Sequence, residues 1–480
     1  MIKLRFLYFI GAFVTLTVPS AIWAQQSFIV NSLADTHDDS LKDGICRDKF
    51  GNCTLRAAIE QARAKPVQIG FEVAGTINLI LGSPPTIPNG STISGFNQQL
   101  IINGSGSTVF NIGSNTVVQG LIITGASATF MTGIRISGSN NTIGGLTSAT
   151  RNVIVGNQYG IMIFGSQNIV VGNFIGTDVT GTAAQANGTG IEIVGSNNLI
   201  GGTTSEARNI ISGNTYYGIW IPRGTGNKVQ GNFIGTDVTG KAAIGNGYPG
   251  IQIYSSNNVI GGTVAGAGNV ISGNKSSGVS IGLNGPTATG NVVQGNFIGT
   301  DLTGTIPIGN DGDGVSISGY GHTIGGKIAG ASNVISWNKL NGISIHGDSC
   351  LVQGNFIGIT GTGNNVLSNG KSGIQISGSN NIIGGRVEGS RNVISGNKME
   401  GISVISGVGN RIQGNYIGTD VSGSIALGNG TNGVGIPFPS GNTVGGIEEG
   451  TSNIIAYNSS ISTKEPHVLV HIREGSCLAM

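Results

Sequence analysis

The seven residues GNFIGTD, Gly172 to Asp178, return as GNFIGTD at Gly231 and Gly295, GNFIGIT at Gly354 and GNYIGTD at Gly414, with successive starts 59, 64, 59 and 60 residues apart. A chain that repeats itself on this period folds as a stack in which each unit buries its apolar surface on its neighbours. A shorter pattern runs inside the long one. Gly-apolar-x-apolar recurs at Gly133, Gly160, Gly190, Gly218, Gly250, Gly278, Gly314, Gly342, Gly373, Gly401 and Gly433, in steps of 27 to 36 residues. The repeat of about 60 residues is therefore two coils, one short and one carrying the IGTD loop. Each coil holds two or three segments of four to six residues, such as GIEI from Gly190, NNLIGG from Asn197 and NIISGN from Asn209. Segments this short between Gly and Asn do not form helices, and a chain that keeps returning to the same place stacks its strands in parallel. The spacing predicts an all-β fold, a single-stranded right-handed parallel β-helix solenoid with an N-terminal helical cap. A leucine-rich horseshoe is excluded, since the repeats have neither a Leu-rich consensus nor a helical segment.

Columns along the stack follow from the repeats. In each GIxI the two apolar residues face inward and x faces outward, so Ile161 and Ile163 stack on Ile191 and Ile193. One Asn column, Asn157, Asn187, Asn214, Asn246, Asn274, Asn310, Asn338, Asn369, Asn397 and Asn429, stands three or four residues before the GIxI glycines. A second runs Asn141, Asn168, Asn198, Asn227, Asn258, Asn291, Asn381, Asn410 and Asn442, with His322 and Cys350 in two of its places. Amides repeated at about 4.8 Å form ladders that satisfy turn backbone, so these Asn residues read as structural. On the same logic Cys350 is a buried thiol in an Asn slot and His322 a hydrogen-bonding stand-in. A Cys350–Cys477 bridge would need the tail to fold back over about four coils, roughly 20 Å, and is not expected.

The two ends differ from the array. Residues 1–24 read as an export signal: Lys3 and Arg5, an apolar run from Phe6 to Val18, and cleavage after Ala24. Residues 25–74 hold the one convincing helix signal, with Thr54 as N-cap and Leu55, Ala58, Ile59 and Ala62 on one face. Cys46 and Cys53, close together in an exported chain, are expected to form a disulfide. The stretch DGICRDKFGNCTLRAAIEQA (Asp43 to Ala62) resembles the N-terminal cap of secreted bacterial parallel β-helix proteins, whose signature is Cys-Ser-Leu-Arg-Glu-Ala. Cys53, Leu55, Arg56 and Ala58 match it, Thr54 stands for Ser and Ala57 replaces Glu. Residues 75–458 form the solenoid. From Gly133 they resemble the secreted right-handed β-helix family that includes pectate lyases and polygalacturonases. That resemblance implies the fold; none of the family's catalytic motifs is present, so no catalytic residue is carried over. Residues 459–480 are an irregular tail in which His467 to Arg473 alternate, read either as a closing strand or as the end of a truncated frame.

Net charge is +2 and charged residues are only 10% of the chain. This rules against a nucleic-acid groove or a basic membrane patch, and no stretch after the signal is apolar enough to span a bilayer. Asp178 and Asp237, two coils apart, are expected to lie about 9.6 Å from each other, near glycosidase carboxylate spacing, and the same Asp recurs as Asp301 and Asp420. An active site is normally built once, however, and the recurring Asp reads better as an Asx turn opening the long loop. Calcium on this column is a weak alternative, since the Gly-Gly-x-Gly-x-Asp calcium repeat is missing. Positions that break the repeat are more informative. The x column reads Arg135, Met162, Glu192, Trp220 and Gln252 before it turns bland, and Tyr217, Arg223 and Tyr254 lie nearby. Aromatic faces beside Glu and Arg form a surface on which a glycan can stack, and Trp220 is expected to be its exposed anchor. A weaker cluster, Asp311, Asp313, His322, His346 and Asp348, offers acid–base or metal-binding groups on successive coils, with no Arg or Lys joining it. The leading expectation is a secreted or surface-held, non-catalytic, monomeric protein that binds a polysaccharide or another extended surface. A polysaccharide lyase, hydrolase or epimerase is the competing class. An ice-binding array is a remote third, because the x column is not Thr.

Overall fold

The structure, a computed structural model, describes residues 26–459 apart from 64, 96–98, 283–287 and 438–440. The expected export signal and tail, and Cys477, lie outside the described residues. The chain is a parallel β-helix. Every pairing between strands is parallel, and the described strands form three long sheets of 12, 15 and 14 strands. A coil contributes one strand to each sheet in turn, for example Thr189–Ile193, Leu199–Gly201 and Ile210–Ile211, called here sheets 1, 2 and 3. The next coil follows with Ile219–Ile221, Lys228–Gln230 and Phe233–Ile234. The two coils of a repeat differ in their connections. One takes eight residues from sheet 2 to sheet 3 and the other takes two, and the second then carries the IGTD loop back to sheet 1.

Register follows the inward columns. Ile161 pairs with Ile191 and Ile163 with Ile193, and the run continues through Ile219, Ile251 and Val279. Sheets 2 and 3 add one inward column each, such as Val170, Ile200 and Val229, and Ile175, Ile211 and Ile234. All of these side chains are fully buried in one continuous core. Each contributes about 2–3 kcal/mol relative to exposure, and a slip of one residue would reverse every face. At the N-terminal end, Leu55–Ala62 is helical, with Thr54 Oγ1 accepting from the Ala57 N–H at 3.1 Å, and Leu55, Ala58, Ile59 and Ala62 join the same core. Arg56 is buried on Asp35, Nε to Oδ1 at 2.6 Å, and Cys46 is bonded to Cys53. Ala57, which replaces the Glu of the resembling cap, is fully buried.

Both expected Asn ladders are present, and a third completes the set: Asn152, Asn173, Asn209, Asn232, Asn269, Asn296, Asn333, Asn355, Asn392, Asn415 and Asn453 precede the sheet 3 strands. Each corner of the coil therefore has its amide column, and where an Asn is followed by an Asn in the next coil its Nδ2 donates to that Oδ1 at about 3 Å, as Asn157 does to Asn187 at 3.0 Å and Asn141 to Asn168 at 2.8 Å. His322 fills its slot as a fully buried ring whose Nδ1 accepts from the Asn291 N–H at 3.1 Å. Cys350 is a buried free thiol whose N–H donates to Asn381 Oδ1 at 2.8 Å.

Candidate functional site

The IGTD loops lie over the outer face of sheet 3. That face is apolar as well, with Phe174, Ile210, Phe233 and Val270 forming a second buried cluster outside the main core. Gly181 and Gly240 sit at φ of 70° and 68°, and a Cβ there would come within about 3 Å of the Phe174 and Phe233 rings, so the loop can close on the ring only through glycine. Neighbouring loops are tied together, Val238 N–H donating to Gly181 O at 2.9 Å and Val421 N–H to Gly363 O at 3.0 Å. Ahead of the first loop the same face is open as a hollow of about 400 Å³ lined by Ile101, Ile122, Val153 and Val155. In the four loops that carry it, the Asp is an acceptor of local hydrogen bonds; Thr360 takes its place in the loop after Gly354. Asp301 takes the Thr303 hydroxyl at 2.8 Å and the N–H groups of Thr305 and Ile306 at 3.1 and 2.9 Å, and Asp178, Asp237 and Asp420 repeat the pattern. Burial raises the Asp420 carboxyl, but the hydrogen bonds from Ile425, Ser422 and Ser424 outweigh it and hold the group down at about 2. The repeated carboxylates are turn formers, as the Asx-turn reading requires.

The x column lies on the outer face of sheet 1 in unbroken register, Arg135 beside Met162, then Glu192, Trp220, Gln252 and Ser280. It is not an open surface. Met162, Glu192, Gln252, Ser280, Ser316 and Ser344 are buried, and Trp220 is half-buried where the sequence led us to expect it exposed. The physical reason is the ring cluster. Tyr217 stacks on Trp220 with centroids 5.8 Å apart, Tyr254 meets the Trp220 ring edge-on at 6.5 Å, and Tyr248 meets Tyr217 edge-on at 5.3 Å and Tyr216 at 5.5 Å. The guanidinium of Arg135 lies 4.3 Å above the Phe164 ring. Gln252 Nε2 donates to Ser280 O at 3.2 Å, and Arg223 stands exposed in the turn after the Trp220 strand. The structure thus brings Arg135, Glu192, Tyr217, Trp220, Gln252 and Tyr254 onto one flank, with Arg223 at its edge.

Two atoms of this flank are unpaired. Glu192 is only 7% exposed, and its Oε2 has no hydrogen-bond partner; the indole Nε1–H of Trp220 on the adjacent strand has none either. Burial without a compensating bond pushes the Glu192 carboxyl up to about 7, against a weaker opposing pull from Arg135. Tyr159, on the neighbouring strand, is raised by burial and then by the Glu192 charge. Unmade hydrogen bonds on buried groups cost about 1–3 kcal/mol each, and such groups cluster where something else is meant to supply the partner.

The Asp/His set is dispersed. His322 is in the ladder, its ring held neutral by burial. Asp311 pairs with Lys339 at 2.7 Å, a cation that the sequence pattern did not associate with it. Asp313 Oδ1 accepts from the N–H and Nδ2 of Asn341 at 2.9 and 3.2 Å. His346 is exposed with Nδ1 3.0 Å from Ser377 Oγ, and Asp348 accepts from the Ser379 N–H at 2.6 Å. Among the described residues no group of three or more His, Cys, Asp or Glu is arranged to hold a metal ion, and no helix is long and apolar enough to cross a membrane.

No protein-family model matches the chain, and no curated protein sequence does. Among solved structures it is similar to the A-module of the mannuronan C-5 epimerase AlgE6 of Azotobacter vinelandii, at 15% identity over 79% of this chain and 98% of that one, with a TM-score of 0.40. It is also similar to the PL6 family polysaccharide lyase Pedsa3628 from Pseudopedobacter saltans (12% identity, 86% and 92% covered, TM-score 0.37) and to PfbA, a surface adhesin of Streptococcus pneumoniae (15% identity, 84% and 95% covered, TM-score 0.27). The likeness reaches no further than the fold, which the strand pairing establishes independently.

Proposed function

We propose that the chain is an exported β-helix protein, closed at its N-terminal end by the helix-bearing cap, that binds glycan on the outer flank of sheet 1 around Trp220 without transforming it. The observation that supports this is the contiguous ring cluster of Tyr217, Trp220, Tyr254 and Tyr248 beside two buried polar atoms that nothing in the chain satisfies. Aromatic faces give a sugar ring a stacking platform, and unpaired polar atoms give it orientation. The protein acts as a monomer. Retention in affinity electrophoresis through gels carrying a panel of plant and bacterial polysaccharides tests this. Trp220→Ala removes the retention if the reading holds; equal retention of the variant and the parent rejects it.

One observation favours the competing class of polysaccharide-active enzyme. A carboxyl poised near neutrality is what general acid–base catalysis uses. Incubation with uronate-containing and neutral polymers, followed by assay for unsaturated products and new reducing ends, separates the classes: binding alone generates neither.

A further inference from the structure

We infer that the sugar unit seated at Trp220 is uncharged, and that Glu192 binds it as the neutral acid, donating a hydrogen bond to a ring hydroxyl while Trp220 Nε1–H donates to another oxygen of the same unit. This deepens the glycan-binding reading and rests on it.

The geometry carries the inference. Glu192 and Trp220 are directly paired across adjacent strands of sheet 1, which puts their Cβ atoms about 5 Å apart, within reach of neighbouring oxygens on one sugar ring. Both have a buried polar atom with no partner in the chain. A carboxylate in that position would need a cation to hold its charge. The charged and titratable groups that act on it are Arg135 and Tyr159. Arg135 is two strands away, about 9.6 Å along the stack, and its guanidinium is laid over Phe164. Tyr159 supplies no positive charge. A uronate on Trp220 would place a second carboxyl group beside the first, and two such groups cannot both ionise at close range without cost. A neutral hydroxylated sugar brings the acceptor that an acid O–H needs. Both atoms are covered, so the sugar reaches them by displacing the outer rings Tyr216 and Tyr248, which are 40% and 48% exposed and meet at 5.5 Å, Tyr248 lying edge-on to Tyr217 as well.

A pH dependence follows. With the carboxyl at about 7, the competent neutral form falls from nearly all of the protein at pH 5.5 to roughly 3% at pH 8.5, so affinity for the glycan drops about thirtyfold across that interval. The test uses the full chain and resins carrying galactomannan, xyloglucan or polygalacturonate, with the dissociation constant measured at both pH values and near-UV circular dichroism confirming the fold. A neutral polymer is expected to be retained with the thirtyfold loss at pH 8.5. Glu192→Gln, which keeps a donor at every pH, is expected to bind equally well at both. Retention by polygalacturonate alone, or a wild-type affinity that does not change with pH, or a Glu192→Gln profile still sloping like the parent's, overturns the inference and leaves glycan binding standing. If no polymer is retained at either pH, the inference and the reading beneath it fall together.

Discussion

The outer face of sheet 1 is one surface in two halves. From Arg135 to Gln252 it is aromatic, and at its centre Glu192 Oε2 and Trp220 Nε1 are unpaired. From Ser316 to Ser403 it is polar and closed on itself. Asn341 is the hub there, donating to Asp313, Ser344 and Gln375 and accepting from the Ser372 N–H, while Ser372 donates to Glu400 and His346 pairs with Ser377. The boundary falls at Ser280, whose buried Oγ is also without a partner. By residue type the second half looks more chemical, with its Asp, His and Glu. Among the buried side-chain atoms described on this face between Arg135 and Ser403, those without a partner, Glu192 Oε2, Trp220 Nε1 and Ser280 Oγ, all lie in the first half or at the boundary. Residue type marks where chemistry is possible; unspent donors and acceptors mark where it is reserved.

The contrast can be broken most forcefully at Glu192. Its folded-state value of about 7 lies above the 4.5 of an ordinary glutamate, so the unfolded chain ionises first as pH rises. Stability is then fully present below about pH 4.5, declines through the interval and levels off above 7. At about 1.4 kcal/mol for each tenfold in proton affinity, the decline is about 3 kcal/mol. Urea unfolding at pH 4.5 and 8 should show that slope in the parent and lose it in Glu192→Gln, which becomes the more stable protein at pH 8. A parent curve with no such slope would mean that Glu192 is solvated.

In the closed half, Asn341→Ala strands Gln375, Ser344 and the Ser372 N–H together, while Asp313 keeps its bond from the residue 341 N–H, and the change is expected to cost about 2–3 kcal/mol in urea unfolding, with glycan retention unchanged. A loss of retention in a folded variant would place the site in the wrong half. Asp301→Ala removes the acceptor that organises one IGTD loop, and about 1–2 kcal/mol is the expected loss, again without effect on binding. Because hydrogen bonds hold the Asp301 carboxyl below its ordinary 3.8 despite burial, its contribution is present above pH 3.8 and fades as pH falls further. The smallest effect belongs to His346→Ala. The ring is exposed with a single hydroxyl partner, so a change within about 0.5 kcal/mol is expected and no change in any activity.

Much of this was legible before the structure. The coil length, the inward Ile columns, two Asn ladders and the substitutes His322 and Cys350 all followed from counting positions, because a stack converts sequence period directly into spatial neighbours. The third ladder was hidden in plain sight: Asn173, Asn232 and their equivalents sit inside the repeated GNFI itself and read as part of the loop motif. Sheet 3 was harder for a different reason. Phe174 and Ile175 are both buried, one outward beneath a loop and one inward, and a strand covered on both faces has no alternation to read. Burial of the x column was not legible, since Trp220 is covered by Tyr217 and Tyr254 through ring geometry that spacing does not encode. Nor was the Lys339 partner of Asp311, which comes from the following coil.

Hydrogen–deuterium exchange with and without a galactomannan oligosaccharide at pH 5.5 tests the division of sheet 1 most directly. Slowed exchange confined to the strands and turns from Tyr159 to Tyr254 is the result the account predicts. Protection centred on Asp313 to Glu400 instead, in a chain that binds the sugar, would contradict it.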